Sequence, residues 1–411
     1  TCINVACIPT KTLVHAAALS QAQGGTFAER AARYAAAIDE KDRVTGMLRA
    51  KNYHKIADLP NVDVIDGRAS FVDATHLTVA TASGTRDIEA KRLFIDTGSL
   101  PSLPSIPGVD SPRVFVSSSM IDLRELPRQL VIIGGGYVGL EFASFYTDFG
   151  AQVTILQHGS AILEHEDPET AEAVRKSLTD RGVTIVYNAE VQRIDDEHDQ
   201  VLVFAQVDGK EKRYPAHAAL VAIGRTPNTT GLNLAAAGIE QNERGGIKVD
   251  DHLRTTADNI WAMGDVHGGL QFTYTSLDDF RIIWSNMNGG SYALSKRKAV
   301  PYSVFISPSY SRVGMSETEA RKADIPVRIA KLPAAAIPKA QVLKNPQGML
   351  KAVIHEETGQ ILGAMLLCEE SYEMINTIKL AMDLGAPYQV LRDQIYTHPT
   401  MSEAFNDLFG M

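Results

Sequence analysis

At 411 residues the chain is too long for one compact core, and its 45% hydrophobic and 22% charged residues predict a globular protein of about two to four domains. A net charge of −9, with Lys296-Arg297-Lys298 as the one obvious basic cluster, excludes the electrostatic footprint of a nucleic-acid binder. No uninterrupted apolar run of about 18 residues stands out, so neither a membrane-spanning helix nor a membrane partner is expected.

Three cysteines in the whole chain do not make a secreted disulfide scaffold; they fit a reducing, cytoplasmic compartment. Two of them fall in the opening TCINVACIPTK, five positions apart. A structural disulfide, a pair of buried thiols that never meet and a redox pair that opens and closes are all compatible with that spacing. The chain does not begin with Met, so residue 1 is expected not to be the native start, with any targeting signal out of view.

After Pro9, which suits a first helical position, Thr10–Ser20 predicts a helix, and a second is expected from about Phe27 to Ile56. Short strands are expected at Val62–Ile65, His76–Ala80 and Arg92–Ile95, then a connector from Pro101 to Pro112. Gln129–Ile133 reads as an apolar strand, GGGYVGLE (Gly134–Glu141) as a turn opening a helix, and Gln152–Leu156 as the next strand of a βαβ unit. In that turn Gly134 permits the sharp bend, Gly136 lets the backbone approach a pyrophosphate, and Gly139 allows close helix–strand packing. The same glycines also serve a purely structural turn. The acid that accepts a ribose hydroxyl in an NAD site is missing, because the second strand ends at Gln157-His158. That leans toward NADPH, although no Arg awaits a 2′-phosphate and Glu164 does not help one; the preference stays open.

Further strands are expected near Val183–Tyr187, Val201–Val207 and Ala219–Ile223, the last running into the turn VAIGRTPN (Val221–Asn228). Thr255–Val266 predicts a strand closed by Gly-Asp, placing Asp265 where a carboxylate binds a polyol or caps a helix. From about Val300 strands and helices alternate, ending in a helix over Ser402–Phe409. Within THPTMSEAF, His398 and Glu403 are five apart; a carboxylate there orients an imidazole and raises its pKa, which suits proton exchange with a thiol. A surface His beside a helix start has the same pattern.

Together, TCINVACIPTK, GGGYVGLE, GRTPN, NIWAMGDV and THPTMSE resemble the class I pyridine nucleotide–disulfide oxidoreductases in order and spacing, over essentially the entire chain. The resemblance implies an α/β fold: two Rossmann-like, three-layer β/β/α dinucleotide-binding domains and a C-terminal α+β dimerisation domain. It divides the chain into an FAD-binding domain (1–127, continued at 247–300), an NAD(P)-binding domain (128–246) and a dimerisation domain (301–411). It implies an enzyme using FAD and NAD(P)H as a homodimer. By this match Cys2 and Cys7 are the redox pair, Cys7 facing the flavin and Cys2 exchanging with substrate. Lys11 lies under the flavin and pairs with Glu141, Tyr137 covers the nicotinamide pocket, and His398 with Glu403 forms an acid–base dyad reaching the other subunit's site. Thr1, Thr97, Asp265, Gln271, Phe272 and Thr273 are implied at the cofactors, as are Gly135, Val138, Gln157, Val191 and Gly224 beside the glycine turn. No metal site is implied.

Within the family, the tail FNDLFGM lacks the cysteines of mercuric reductase and of the large thioredoxin reductases. GGLQFTYTSLDDFRI, VPYSVFISPSYSRVGM and LRDQIYTHPTMSEAFNDLF resemble instead the bacterial reactive-chlorine-resistance flavoproteins, implying reduction of hypothiocyanous acid, a related small oxidant or cupric ion. Dihydrolipoamide dehydrogenase, a copper-handling protein with Cys2, Cys7 and a nearby His as ligands, and an inactive dimerising fragment are the alternatives. Family members begin with a βαβ piece that cradles the ADP half of FAD, and no such piece precedes TCINVACIPTK; on that reading the chain is expected to hold FAD poorly.

Overall fold

The computed structural model describes residues 1–411. The chain forms two compact units, Thr1–Ile8 with Asp42–Ser102 and Gly224–Arg297, and Pro9–Lys41 with Leu103–Ile223 and Lys298–Met411.

In the larger unit the expected βαβ segment lies in a five-stranded parallel sheet. Its order is Val114–Val116, Ala218–Val221, Gln129–Ile133, Gln152–Leu156, Thr184–Val186. These strands read as unbroken apolar runs because both faces are covered. Leu130, Ile132, Val153, Ile155, Ala218 and Leu220 face one core with Leu140, Phe142 and Val174 of the helices Tyr137–Asp148 and Pro168–Thr179. Their alternates Val131, Ile133, Leu156, Ala219 and Val221 face a second core with Val201, Val203 and Ala205. Those three belong to an antiparallel sheet of Ala189–Glu197, Gln200–Val207 and Lys210–Ala216. The three layers are therefore antiparallel sheet, parallel sheet and helices. Each fully buried Leu or Ile contributes about 1.5–3 kcal/mol.

The same unit holds the C-terminal segment, a five-stranded antiparallel sheet in the order Tyr302–Val304, Tyr310–Gly314, Ile361–Leu367, Met349–His355, Val327–Pro333. One face packs on Met374 and Ile378 of the helix Ser371–Asp383 and on Phe405 and Phe409 of the helix Ala404–Gly410.

The smaller unit pairs Leu93–Ile95 with Ile260–Ala262 in parallel, beside the antiparallel sheet Arg68–Phe71, His76–Thr81, Gly84–Glu89 and the helix Thr273–Met287. Two expected strands differ. Val62–Ile65 forms none: no neighbouring strand offers it a ladder, Val64 is exposed, and pairing begins at Arg68. Of Thr255–Val266 only Ile260–Ala262 is strand, because the chain folds back so that Thr255 N–H donates to Ile260 C=O at 2.9 Å.

The N-terminal stretch is more apolar than expected. Cys2–Gln23 is long and apolar enough, by length and composition alone, to cross a membrane. It is broken at Ala6 into the helices Cys2–Val5 and Cys7–Gln23, and it carries the ion-paired Lys11.

Candidate functional site

The break at Ala6 makes Cys7 the first residue of a 17-residue helix whose first turn has no acidic side chain. The macrodipole of a helix start favours a thiolate at that position. Cys2 and Cys7 are half-buried and are not joined by a disulfide. Cys7 Sγ lies 3.5 Å from the hydroxyl of Thr273, which opens the helix Thr273–Met287. The hydrogen bond Cys2 shares with Cys7, and then burial, push the Cys2 thiol well above the usual range, against the pull of Thr273. Cys2 thus holds its proton more tightly than a free thiol does, and Cys7 is the sulfur that stands at the helix start.

The neighbouring predicted residues fall in the same smaller unit. Phe272 stacks on Tyr274 with ring centroids 5.1 Å apart. Gln271 precedes them, partly buried. Thr1 Oγ1 lies near Gly98, and Thr97 donates to Asn228 C=O at 2.7 Å. Gly224 takes φ +126°, accessible to glycine alone among common residues, with open space where a Cβ would stand.

Asp265 sits just past the strand Ile260–Ala262 in a 3₁₀ turn, Gly264–His267, and accepts the Ser99 hydroxyl at 2.6 Å. Arg225 donates to Ser99 Oγ at 2.8 Å and to Ser99 C=O at 2.6 Å, within electrostatic reach of both Asp265 and Cys7. The turn is fixed by a residue that sequence reasoning missed. Buried Asp279 accepts the Gly264 N–H at 2.7 Å, meets His267 Nε2 at 3.1 Å and pairs with Arg297. Burial alone would raise its carboxyl; the bonds from His267, Arg297 and Gly264 outweigh it and hold it below the usual range. A depressed carboxylate stabilises the fold above its unfolded pKa of about 3.9 and loses that contribution as pH falls through its folded value. Asp279→Asn, which leaves Arg297 with Asp278 as its remaining charged partner, should therefore cost about 1.5–3 kcal/mol at pH 7. Thermal melts should show a constant gap from wild type down to about pH 4 that closes in stronger acid; a pH-independent gap contradicts the assignment.

In the larger unit each glycine of the turn has its own reason. Gly134 takes φ +109°, and a Cβ there would lie 2.5 Å from Ala222 O. At Gly139 a Cβ would lie 2.1 Å from Gly134 O, so the helix packs directly on the turn. Gly136 has open space and caps the helix Tyr137–Asp148 with no side-chain bond, leaving its first N–H groups for an anion. The uncapped start, the open Gly136 and the exposed Tyr137 and Val138 fit a dinucleotide pyrophosphate. Gly135 N–H donates to Gln157 Oε1 at 2.8 Å, and Gln157 Nε2 reaches Glu164 at 3.4 Å. Val191 packs against the core of the parallel sheet, at a β-bulge.

Lys11 and Glu141 meet at 2.6 Å, as expected. Glu141 also accepts the Phe305 N–H at 2.9 Å, and Lys11 lies over the Phe305 ring at 4.5 Å. His398 Nδ1 meets Glu403 Oε2 at 2.8 Å; Glu403 is mostly covered, whereas the His398 side chain is 72% exposed. That leaves the imidazole's other nitrogen open to a partner outside this chain.

A pair of cysteines at a helix start, a glycine turn that fits a dinucleotide and a lysine–glutamate pair are the features expected of a flavin-linked disulfide oxidoreductase. The family models agree: pyridine nucleotide-disulphide oxidoreductase matches residues 1–279, and its dimerisation domain matches 300–409. The chain belongs to this family of enzymes, which use FAD and NAD(P)H. It is 48% identical over 413 residues to the probable pyridine nucleotide-disulfide oxidoreductase RclA of Escherichia coli K12, covering 100% of this chain and 90% of the relative. A mercuric reductase of Lysinibacillus sphaericus is 32% identical, over 98% of this chain and 74% of the relative. Among solved structures, one described as the HOCl-induced flavoprotein disulfide reductase RclA from Escherichia coli superposes with a TM-score of 0.92 at 47% identity, covering 100% of this chain and 91% of the other. A Cu(II) complex of that reductase gives a TM-score of 0.93, also at 47% identity, covering 100% of this chain and 90% of the other.

Proposed function

We propose that the protein is a cytoplasmic homodimer that reduces a small electrophilic oxidant, hypothiocyanous acid or a related species, with electrons from NAD(P)H. The observation that carries this reading is the Cys2–Cys7–Thr273 arrangement, a dithiol poised at a helix start. When bound, FAD would supply the electron relay between NAD(P)H and the Cys2–Cys7 disulfide. Asp265, Thr97 and the Gln271–Thr273 turn are the residues proposed to hold it, and the Gly134–Gly139 turn to hold the nicotinamide nucleotide.

For hypothiocyanous acid the balance closes. One thiolate attacks the oxidant's sulfur and displaces hydroxide; the second thiolate attacks that adduct, forming the disulfide and releasing thiocyanate. Two electrons leave the dithiol, and water carries off the oxygen. The high-lying Cys2 thiol must lose its proton for this, so a base has to reach it. His398, held by Glu403 and exposed, is that base from a second subunit. The Glu164 carboxylate beside Gln157 disfavours a 2′-phosphate, so NADH is the proposed donor.

Steady-state turnover of the flavin-loaded protein with hypothiocyanous acid, cupric ion and lipoamide, each with NADH and NADPH, tests the reading. Hypothiocyanous acid with NADH should give the highest kcat/KM. A dominant rate with lipoamide would point to dihydrolipoamide dehydrogenase instead.

A further inference from the structure

Glu166 was singled out by no motif, yet its carboxylate is completely buried and accepts from four donors. Tyr310 donates at 2.6 Å and Arg312 at 3.1 Å, Tyr302 donates to the same oxygen as Tyr137, and Tyr137 itself is 3.3 Å away. The Tyr137 and Tyr302 rings also pack, with centroids 5.4 Å apart. Burial, helped by the Glu166 charge, raises both of these tyrosine hydroxyls, so each remains a donor. Of the four, the Tyr137 contact is the longest, and Tyr137 is the one side chain exposed by more than a third. The other three sit on two strands of the dimerisation segment.

We propose that Glu166 is a positioning residue that latches Tyr137 in its resting place, so that nucleotide entry breaks the Tyr137–Glu166 bond while Tyr302, Tyr310 and Arg312 keep the carboxylate fixed. This rests on the reading of Tyr137 as the aromatic over the nicotinamide pocket. A closed resting state lowers apparent affinity by the fraction of molecules that are open. A long charge-assisted hydrogen bond therefore withholds about three- to tenfold in affinity.

The test is calorimetric titration of the full-length, flavin-loaded protein with NAD⁺, a probe that needs the pocket open and does not reduce the flavin. Tyr137→Phe keeps the ring and removes the hydroxyl; it should tighten NAD⁺ binding about three- to tenfold. Glu166→Gln, which keeps an acceptor but removes its charge, should tighten it less, and the double variant no further than Tyr137→Phe, because both act on the same bond. A merely structural Glu166 predicts the reverse, weaker binding. Unchanged or weakened binding in Tyr137→Phe, or gains that add in the double variant, overturns the latch. Should Glu166→Gln fail to fold, Tyr137→Phe alone decides. Tyr137→Ala separates the two ideas: tighter binding there but not in Tyr137→Phe leaves a gate without a latch, and no change there removes the gate itself.

Discussion

Cys7→Ser should reduce turnover of the oxidant by on the order of a thousandfold or more while NAD⁺ still binds. Serine keeps the helix start and the contact with Thr273 but cannot form the disulfide that carries the electron pair. Cys2→Ser should fail at a different stage: the remaining thiolate can form an adduct with the oxidant, and nothing intramolecular resolves it. Cys368 is the control. It is fully buried, 3.7 Å from the Met374 sulfur, and burial pushes its thiol far up, so Cys368→Ser should leave the rate as it was. Wild-type turnover in Cys7→Ser would end the redox-pair assignment.

His398→Ala should lower oxidant reduction by about 10²- to 10⁴-fold, the usual contribution of a positioned acid–base group. The reason lies at Cys2, whose thiol is held protonated by Cys7 and by burial and must be deprotonated in each cycle. Glu403→Gln should cost less and change the pH–rate profile, since it alters the group that orients the imidazole at 2.8 Å. If His398 serves a neighbouring subunit, mixing His398→Ala with Cys7→Ser protein should restore activity. A mixed dimer then has one site with intact cysteines from one chain and an intact His from the other. No rescue, with dimer exchange verified by mass, or full activity in a monomer, contradicts the shared site.

The parts of this fold legible in the sequence were those whose cause is local. The turn Gly134–Gly139 and its flanking strands are visible because a sharp bend, an open helix start and close packing each demand glycine at a fixed offset. The dithiol was visible as spacing, whereas the contact of Cys7 with Thr273 joins residues 266 positions apart. Asp279 hides in TSLDDFRI, where nothing marks one of two adjacent acids as the one that holds the Gly264 turn. Glu166 is invisible for the same reason: its four donors come from Tyr137 and from strands more than 130 positions on. Val62–Ile65 failed in the opposite sense, since β-propensity without a neighbouring strand yields no ladder.

The central claim is that Cys2 and Cys7 cycle between dithiol and disulfide under NAD(P)H and oxidant. The most direct test is anaerobic alkylation of the flavin-loaded protein followed by peptide mass spectrometry, once after a stoichiometric pulse of hypothiocyanous acid and once after subsequent NADH. The account predicts a Cys2–Cys7 disulfide after the oxidant, both thiols alkylated after NADH, and Cys368 unoxidised throughout. Thiols at Cys2 and Cys7 that survive the oxidant, or a disulfide that persists in the presence of NADH, would contradict it.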